Sequence, residues 1–417
     1  MFNVKNKNQP IYLESISIRE IKCFGPKQTI QLSDKGKPKM WTMILGDNGT
    51  GKSTILNSIA WALSQNGGGN VDSYEFIRDN PAVIGLIKLE AIGFKGMNES
   101  SQYFNRLDIP HIKVYSPYIK DANIPIFGYG SYRRLGKKGL SNGELPFQFA
   151  SLFDENAELI NAEDWLLKAD YEDAKSDKSN NKIERVKNML LKILREEVSD
   201  IRIEKGYRGY GVEFKTRYGW VNIKNLSTGY KSLITWMVDL ANWLDIYYPD
   251  SENPLNEQAV VLIDEIDLHL HVSLQRELVS FLRETFPKIQ FIVTAHSPLV
   301  VQGSEDENII VLEKEDDHVV VKSNPLNVKN WRVDQILTSD LFGLESSRSK
   351  MTETKMQRRY ELLKKDSLNK VEQEEMKELD VFINKVPFNN DPKLDGASKI
   401  IQDAANALKE LKKMDND

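Results

Sequence analysis

The sequence is short of three things. It has one cysteine, Cys23, in 417 residues, which excludes an intramolecular disulfide and any paired-cysteine metal site. It has no unbroken apolar run of the roughly 18 residues that a membrane-spanning helix needs, and the opening MFNVKNKNQP lacks the apolar centre of a secretory signal. It also has no excess of positive charge: 56 Lys and Arg against 61 Asp and Glu leave a net charge of −5. The field of the whole molecule therefore does not draw in nucleic acid, and any such contact must come from a local patch. These absences point to a soluble protein of a reducing cytoplasm with no membrane association. What is present is a globular composition, 40% hydrophobic and 28% charged, enough for one large core or two ordinary ones.

Periodicity organises the chain. Two β-branched runs, 11–23 and 28–32, are parted by Phe24-Gly25-Pro26. A buried strand is expected over 40–45, then a glycine-rich loop, a helix over 52–63 and a break at Gly67-Gly68-Gly69. Further strands are expected over 82–94, 111–115 and 124–128. Between 155 and 198 the period becomes helical, with Ile183, Val186, Leu190, Ile193 and Leu194 on one face and a polar linker over 174–182. Short strands return at 200–204, 211–215 and 218–224. Helix 229–247, strand 259–263, helix 271–286 and strand 289–295 then alternate, the pattern of a largely parallel sheet covered by helices.

The loop Gly46-Asp47-Asn48-Gly49-Thr50-Gly51-Lys52-Ser53-Thr54 matches G-x-x-x-x-G-K-[ST] in full, after an apolar strand and at a helix start. Its glycines let successive N–H groups curl into an anion nest, and the helix N-terminus adds its positive end. Lys52 is suited to the β- and γ-phosphates of ATP, and the Ser53 hydroxyl to Mg²⁺.

The apolar run Ala259-Val260-Val261-Leu262-Ile263 ends in Asp264-Glu265. Carboxylates at the carboxyl end of a buried strand share the rim of the sheet with the phosphate loop. Asp264 is the candidate Mg²⁺ residue, and Glu265 the candidate to orient or deprotonate an attacking water.

Four ordered elements resemble a known family. Leu226-Ser227-Thr228-Gly229-Tyr230-Lys231-Ser232 resembles the ABC signature in the variant form of SMC-like and OLD-like heads. Ile266-Asp267-Leu268-His269-Leu270-His271 resembles the segment after their Asp-Glu, and Phe291-Ile292-Val293-Thr294-Ala295-His296-Ser297-Pro298 their switch strand and histidine. The chain is thus identified as an ABC-type ATPase head of the SMC/OLD-like branch. The resemblance implies an α/β fold: a P-loop mostly parallel sheet, an antiparallel β subdomain, a short helical insertion at about 150–200 and a helical C-terminal tail. It also implies an ATPase working as a homodimer or higher homo-oligomer through its ATP sites. Ser227 and Gly229 of one copy would cap the γ-phosphate held by the other, Asp267 would communicate across the interface, and His296 would join Glu265 and Lys52 in catalysis. His296 alone, at the end of a strand, also reads as a structural histidine. Gln102 and Gln148 are positional candidates for the family's glutamine, and Phe24 for the adenine contact.

No sustained heptads are present, so a long coiled coil is excluded and the inserted helices are expected to form at most a short lid. The run Ile309-Ile310-Val311-Leu312-Glu313 with Asp316-Asp317 is similar to the start of a metal-dependent nuclease domain, but Lys314 stands where a glycine is expected, and 308–322 reads as a terminal hairpin. Compact anti-phage ATPases of Septu systems and retrons are resembled through Leu152-Phe153-Asp154-Glu155, Asp164-Trp165-Leu166, Val333-Asp334-Gln335-Ile336-Leu337 and Leu341-Phe342-Gly343-Leu344. That resemblance implies an ATP-dependent switch or sensor acting with a separate effector, an HNH nuclease or retron components. A non-catalytic ATP-bound scaffold and an intrinsic nuclease are the alternatives. The loop from Tyr129 to Lys138, carrying Arg133, Arg134, Lys137 and Lys138, has three readings: a nucleic-acid grip, a solvated loop, or an approach to the ATP phosphates. The head is expected over 1–345. The charged 346–417 reads as helices with a break between Pro387 and Pro392, either a partner-binding element or a solvated tail.

Overall fold

A computed structural model describes residues 11–63, 85–92, 104–109, 112–117, 125–136, 148–175, 181–206, 209–304, 307–365 and 367–386. The chain divides into two compact units, Met1–Gly343 and Leu344–Asp417.

Strands with apolar residues on both faces must be covered on both faces, and the central sheet of the first unit follows that rule. Its order is His318–Ser323, Asn308–Glu315, Trp41–Gly46, Ile289–Thr294, Ala259–Ile263, Ile126–Tyr129. All neighbours are parallel except the first pair, the hairpin expected near 308–322. Alternate residues of Ala259–Ile263 go to opposite cores: Val260 and Leu262 to one, Ala259, Val261 and Ile263 to the other. The first core is closed by helix Lys52–Leu63 and a second, mostly antiparallel sheet, ordered Gln28–Gln31, Tyr12–Arg19, Gly85–Ile92, Ile112–Pro117, Phe104–Ile109. Gln290, wholly buried, joins the layers: its side chain accepts from Leu13 N at 2.8 Å and donates to Leu13 O at 2.9 Å. The α/β class with an antiparallel subdomain is as expected. The strand Phe104–Ile109 and the short helix Pro298–Gly303 were not foreseen.

The second core holds helices Thr228–Tyr247 and Val272–Thr285 and the inserted pair Ala162–Lys175 and Lys182–Ile193. The inserted pair is not a lid. Trp165 Nε1 donates to Asn242 at 2.9 Å, Arg185 pairs with Asp245 at 3.1 Å, and Lys192 and Arg195 reach Glu284 and Glu277 at 2.7 Å. Apolar faces this extensive are buried rather than left to swing, so the pair braces helices 228–247 and 272–285. The second unit contains two helices, Lys350–Leu363 and Lys370–Ile383, capped by Ser349 and Asn369 and cross-linked by Arg358–Glu375 at 2.9 Å and Arg359–Asp380 at 2.6 Å. The expected break at Pro387 to Pro392 and the triple glycine at 67–69 lie outside the described residues. Among the described residues no helix is long and apolar enough to cross a membrane.

Asp239 on helix 228–247 is 3% exposed, accepting from the Tyr129 hydroxyl at 3.0 Å and from Ile160 N at 3.2 Å. Burial pushes its carboxyl up to about 6, against the pull of those donors. A raised acid favours the protonated fold, so its contribution is complete below the ordinary 3.8 and is lost as pH rises through about 6. About 3 kcal/mol is involved at ~1.4 kcal/mol per pK unit. Asp239→Asn removes that dependence. Urea unfolding is expected to show the variant gaining on the wild type between pH 4 and pH 6.5, then holding level; a difference constant across that window would rule the assignment out.

Candidate nucleotide site

The phosphate loop leaves the sheet at Gly46, whose φ of +147° and whose closeness to Leu312 O, 2.7 Å from where a Cβ would sit, admit no side chain. Gly49 and Gly51 also have positive φ, +77° and +87°, so the loop curls back to the start of helix 52–63. Lys52 Nζ donates to the carbonyls of Gly46 at 2.8 Å and Asp47 at 2.9 Å. Burial draws the Lys52 ammonium below its ordinary value, and Asp264, Glu265, Asp47 and Asp267 oppose the shift.

Across the cleft the carboxylate strand delivers its two acids. Ser53 Oγ donates to Asp264 Oδ2 at 2.7 Å, and Thr294 Oγ1 donates to Asp264 Oδ1 at 2.5 Å. The same Thr294 oxygen accepts from Glu265 N at 2.7 Å. Thr294 was named in the sequence only as part of the switch strand. Its place one strand over from Ile263, in register with Val293, is what brings it here. Asp267 accepts from His296 N with both carboxylate oxygens, at 3.2 Å each, and burial raises its carboxyl against that bond. It thus ties the switch loop within its own chain.

A cleft of about 340 Å³ is lined by Asn48, Gly49, Gly51, Lys52, Ser53, Thr54, Asp264, Glu265 and His296, with Lys22 and Cys23 at its edge. Ser227 and Gly229 are elsewhere. They line a second cleft of about 710 Å³ with Tyr230, His269, His271 and Arg217. Ser227 caps the 20-residue helix Thr228–Tyr247, accepting from Tyr230 N at 3.4 Å. A Cβ on Gly229 would lie 2.1 Å from the His269 carbonyl, so glycine there is dictated by a close backbone approach.

Three readings of the sequence are corrected. Phe24 is wholly buried, with its ring where a Gly51 Cβ would be, and cannot stack on a base. Gln148 donates to the Tyr247 hydroxyl at 2.5 Å and is not among the described residues lining the phosphate cleft; Gln102 lies outside the described residues. Arg133 is 4% exposed and turned inward: Nε donates to Gly130 O at 2.9 Å, and Nη2 to Glu265 O at 2.8 Å and to Asp264 O. It is unavailable to a nucleic-acid backbone. Of the other cations in that loop, Arg134 is exposed beside the Tyr132 ring at 5.7 Å, and Lys137 and Lys138 lie outside the described residues. Glu313, on which a nuclease centre would rest, is ion-paired with Lys322 at 2.5 Å on the hairpin.

Several known proteins are similar in sequence. The Septu protein PtuA of Bacillus mycoides is 29% identical over 384 residues, covering 90% of this chain and 50% of that protein. The retron Vc95 probable ATPase of Vibrio cholerae is 28% identical over 393 residues, covering 75% of this chain and 76% of its own. The chain is similar to the Septu protein PtuA and to the retron probable ATPase over most of its own length. Residues 96–302 match the profile described as "AAA domain, putative AbiEii toxin, Type IV TA system", a span that begins after the phosphate loop and includes the signature, the carboxylates and His296. Among solved structures, an Smc head bound to the C-terminal winged-helix domain of ScpA aligns with TM-score 0.42 and 16% identity over 75% of this chain and 97% of that one. The chain spans half the length of the Bacillus mycoides relative.

The Gly229 contact makes a stability forecast. Alanine early in a helix gains up to ~1 kcal/mol over glycine, while forcing a methyl against an immovable carbonyl costs about 1–3 kcal/mol. Gly229→Ala is therefore expected to lose about 1–2 kcal/mol in urea unfolding, with the clash outweighing propensity. A variant as stable as the parent would show that the His269 turn can yield.

Proposed function

We propose that the chain binds Mg-ATP in the cleft between the phosphate loop and the carboxylate strand and hydrolyses it as a dimer, in the cytoplasm. The observation that carries this reading is the division of parts between two clefts. Lys52, Ser53, Asp264, Glu265 and His296 share one, whereas Ser227 and Gly229 line another. A site that needs both sets is completed by a second copy.

The residues fit the ligands on their chemistry. The loop's curled backbone presents N–H groups, and the Lys52 ammonium, held here by two main-chain carbonyls, is placed to exchange them for phosphate oxygens. The Ser53 hydroxyl and Asp264 carboxylate, 2.7 Å apart, form the oxygen pair a small hard cation takes. Bound there, Mg²⁺ supplies neutralisation of the phosphate charge. Glu265 supplies the base: its carboxylate accepts a proton from the water that attacks the γ-phosphorus as the bond to the β–γ bridging oxygen breaks and ADP leaves, while His296 on the same cleft donates to a γ-oxygen or to that water. Asp267, by holding His296 N, keeps the histidine at the cleft mouth. Ser227, Gly229 and the end of their helix bring a positive dipole to the γ-phosphate of the partner copy.

At the level of the cell, we read the ATP cycle as a switch in anti-phage defence, closing two copies when ATP is bound and releasing them after hydrolysis. A separate effector, a nuclease by the resemblance given above, would read the closed state. The names of the Septu and retron relatives support this reading.

The test is mass in solution with Mg-ATP for the wild type, Glu265→Gln and Lys52→Ala. Glu265→Gln is expected to accumulate an ATP-dependent dimer with turnover reduced at least about 100-fold, and Lys52→Ala to stay monomeric. The same assembly in all three, with and without ATP, would replace the switch by a scaffold whose association ignores nucleotide.

A further inference from the structure

The buried guanidinium of Arg133 is not used by the mechanism above, and it does not line the phosphate cleft among the described residues. It sits behind the catalytic pair. Its Nη2 donates to two successive carbonyls, Asp264 O and, at 2.8 Å, Glu265 O, while Nε is anchored on Gly130 O at 2.9 Å. Both partners in this contact have left-handed backbones, φ +47° at Glu265 and +29° at Arg133, a conformation that residues with a Cβ hold only when their surroundings impose it. The surroundings of Arg133 are closely packed. Gly130 lies so close to Ser151 O, 1.8 Å from a would-be Cβ, that no other residue fits, and Ser151 Oγ accepts from Gly130 N at 3.2 Å. Leu152 fills the place of a Gly128 side chain. The loop carrying Arg133 is thus clamped to the sheet edge beside Ala259–Ile263.

We infer that Arg133 is a positioning residue for Glu265: its guanidinium, by binding the carbonyls of Asp264 and Glu265, holds the left-handed turn that aims the Glu265 carboxylate into the cleft. An arginine suits this place because its planar guanidinium holds Nε on Gly130 O and Nη2 on the two turn carbonyls at fixed geometry, which a single lysine ammonium does less well. Burial pushes the guanidinium down to about 10, opposed by Asp264, Asp267 and Glu265, so it stays cationic at neutral pH. The inference rests on the hydrolytic reading of Glu265 given above.

The experiment uses the full chain with Arg133→Ala and Arg133→Lys. Binding of a fluorescent ATP analogue with Mg²⁺ is expected to stay within about threefold of wild type, because no phosphate ligand is lost, while kcat falls at least about tenfold with KM little changed, as misplacing a reacting group predicts. Millimolar guanidinium is expected to restore part of the kcat of Arg133→Ala, and Arg133→Lys to retain more activity than alanine. A crystal structure of Arg133→Ala should show Glu265 leaving its left-handed φ; if the alanine variant does not fold, Arg133→Lys carries the same measurements. Unchanged kcat in an active protein, or a Glu265 that keeps φ near +47° without the guanidinium, overturns the inference. A wild type with no turnover defeats the hydrolytic reading instead, and the Glu265 backbone in the variant still decides the role of Arg133.

Discussion

The structure depends on how the chain turns after Ile263. A parallel strand satisfies its backbone through its neighbours, and at its end those partners run out while the groups are still buried. Here they are found again from outside the strand. Asp264 N reaches Tyr129 O at 2.8 Å, Glu265 N reaches the Thr294 hydroxyl at 2.7 Å, and Ile266 N reaches Thr294 O at 2.9 Å. The carbonyls of Asp264 and Glu265 go to Arg133. Three strand ends and one loop are therefore knotted at a single point, and the carboxylates stand opposite Ser53 because of it.

From that turn the next few residues connect the two clefts. Asp264 and Glu265 face the phosphate loop, Asp267 holds His296, and the carbonyl of His269 lies against Gly229 at the head of the signature helix. The segment is short and has contacts at both ends, so a displacement at the carboxylates would have a direct route to the cleft at Ser227 and Gly229. The helix it meets is itself held: Asp239 bonds Tyr129 beneath the sheet, and Asn242 and Asp245 bond the inserted helices. In the proposed dimer, one copy's nucleotide would thus act on the surface that completes the other copy's site.

Much of this was legible. The phosphate loop is a contiguous motif whose geometry follows from its glycines, and Ala259–Ile263 was read to the residue because five apolar residues ending in two acids leave little choice. The helix expected over 229–247 was also legible, and it spans Thr228–Tyr247. The failures have one cause: side-chain direction at loops is set by tertiary partners. Arg133 sits among Tyr132, Arg134 and Lys137, a composition that reads as exposed, yet only the neighbouring chain at 264–265 decides that one cation turns inward. The available signal was the spacing of Gly128 and Gly130 on the preceding strand, which marks a close approach by another backbone. Phe24 failed for the same reason, because the space its ring fills belongs to Gly51. For the inserted helices the sequence set only an upper bound, a short lid, because an amphipathic pattern shows that a face is buried but not against what.

Four of the buried polar groups sit at joints between elements. Gln290 joins the two sheets, Asp239 joins helix 228–247 to the edge strand, Thr294 joins two parallel strands at their ends, and Arg133 joins the edge loop to the turn at 264–265. Apolar residues at these places could stabilise the fold as well or better, since each polar group loses hydration on burial. Apolar contact is non-directional, however, and tolerates small slides between layers. A hydrogen bond that lengthens by half an ångström has largely lost its geometry, and a buried one has no water to replace it. Layers stitched by such bonds keep one register, and the proposed phosphoryl transfer, which would rest on positioning, needs the phosphate loop, the carboxylates and His296 in one register. Thr294 and Arg133 are the two of these joints that bond the 264–265 turn, so a slide there would displace the carboxylates first.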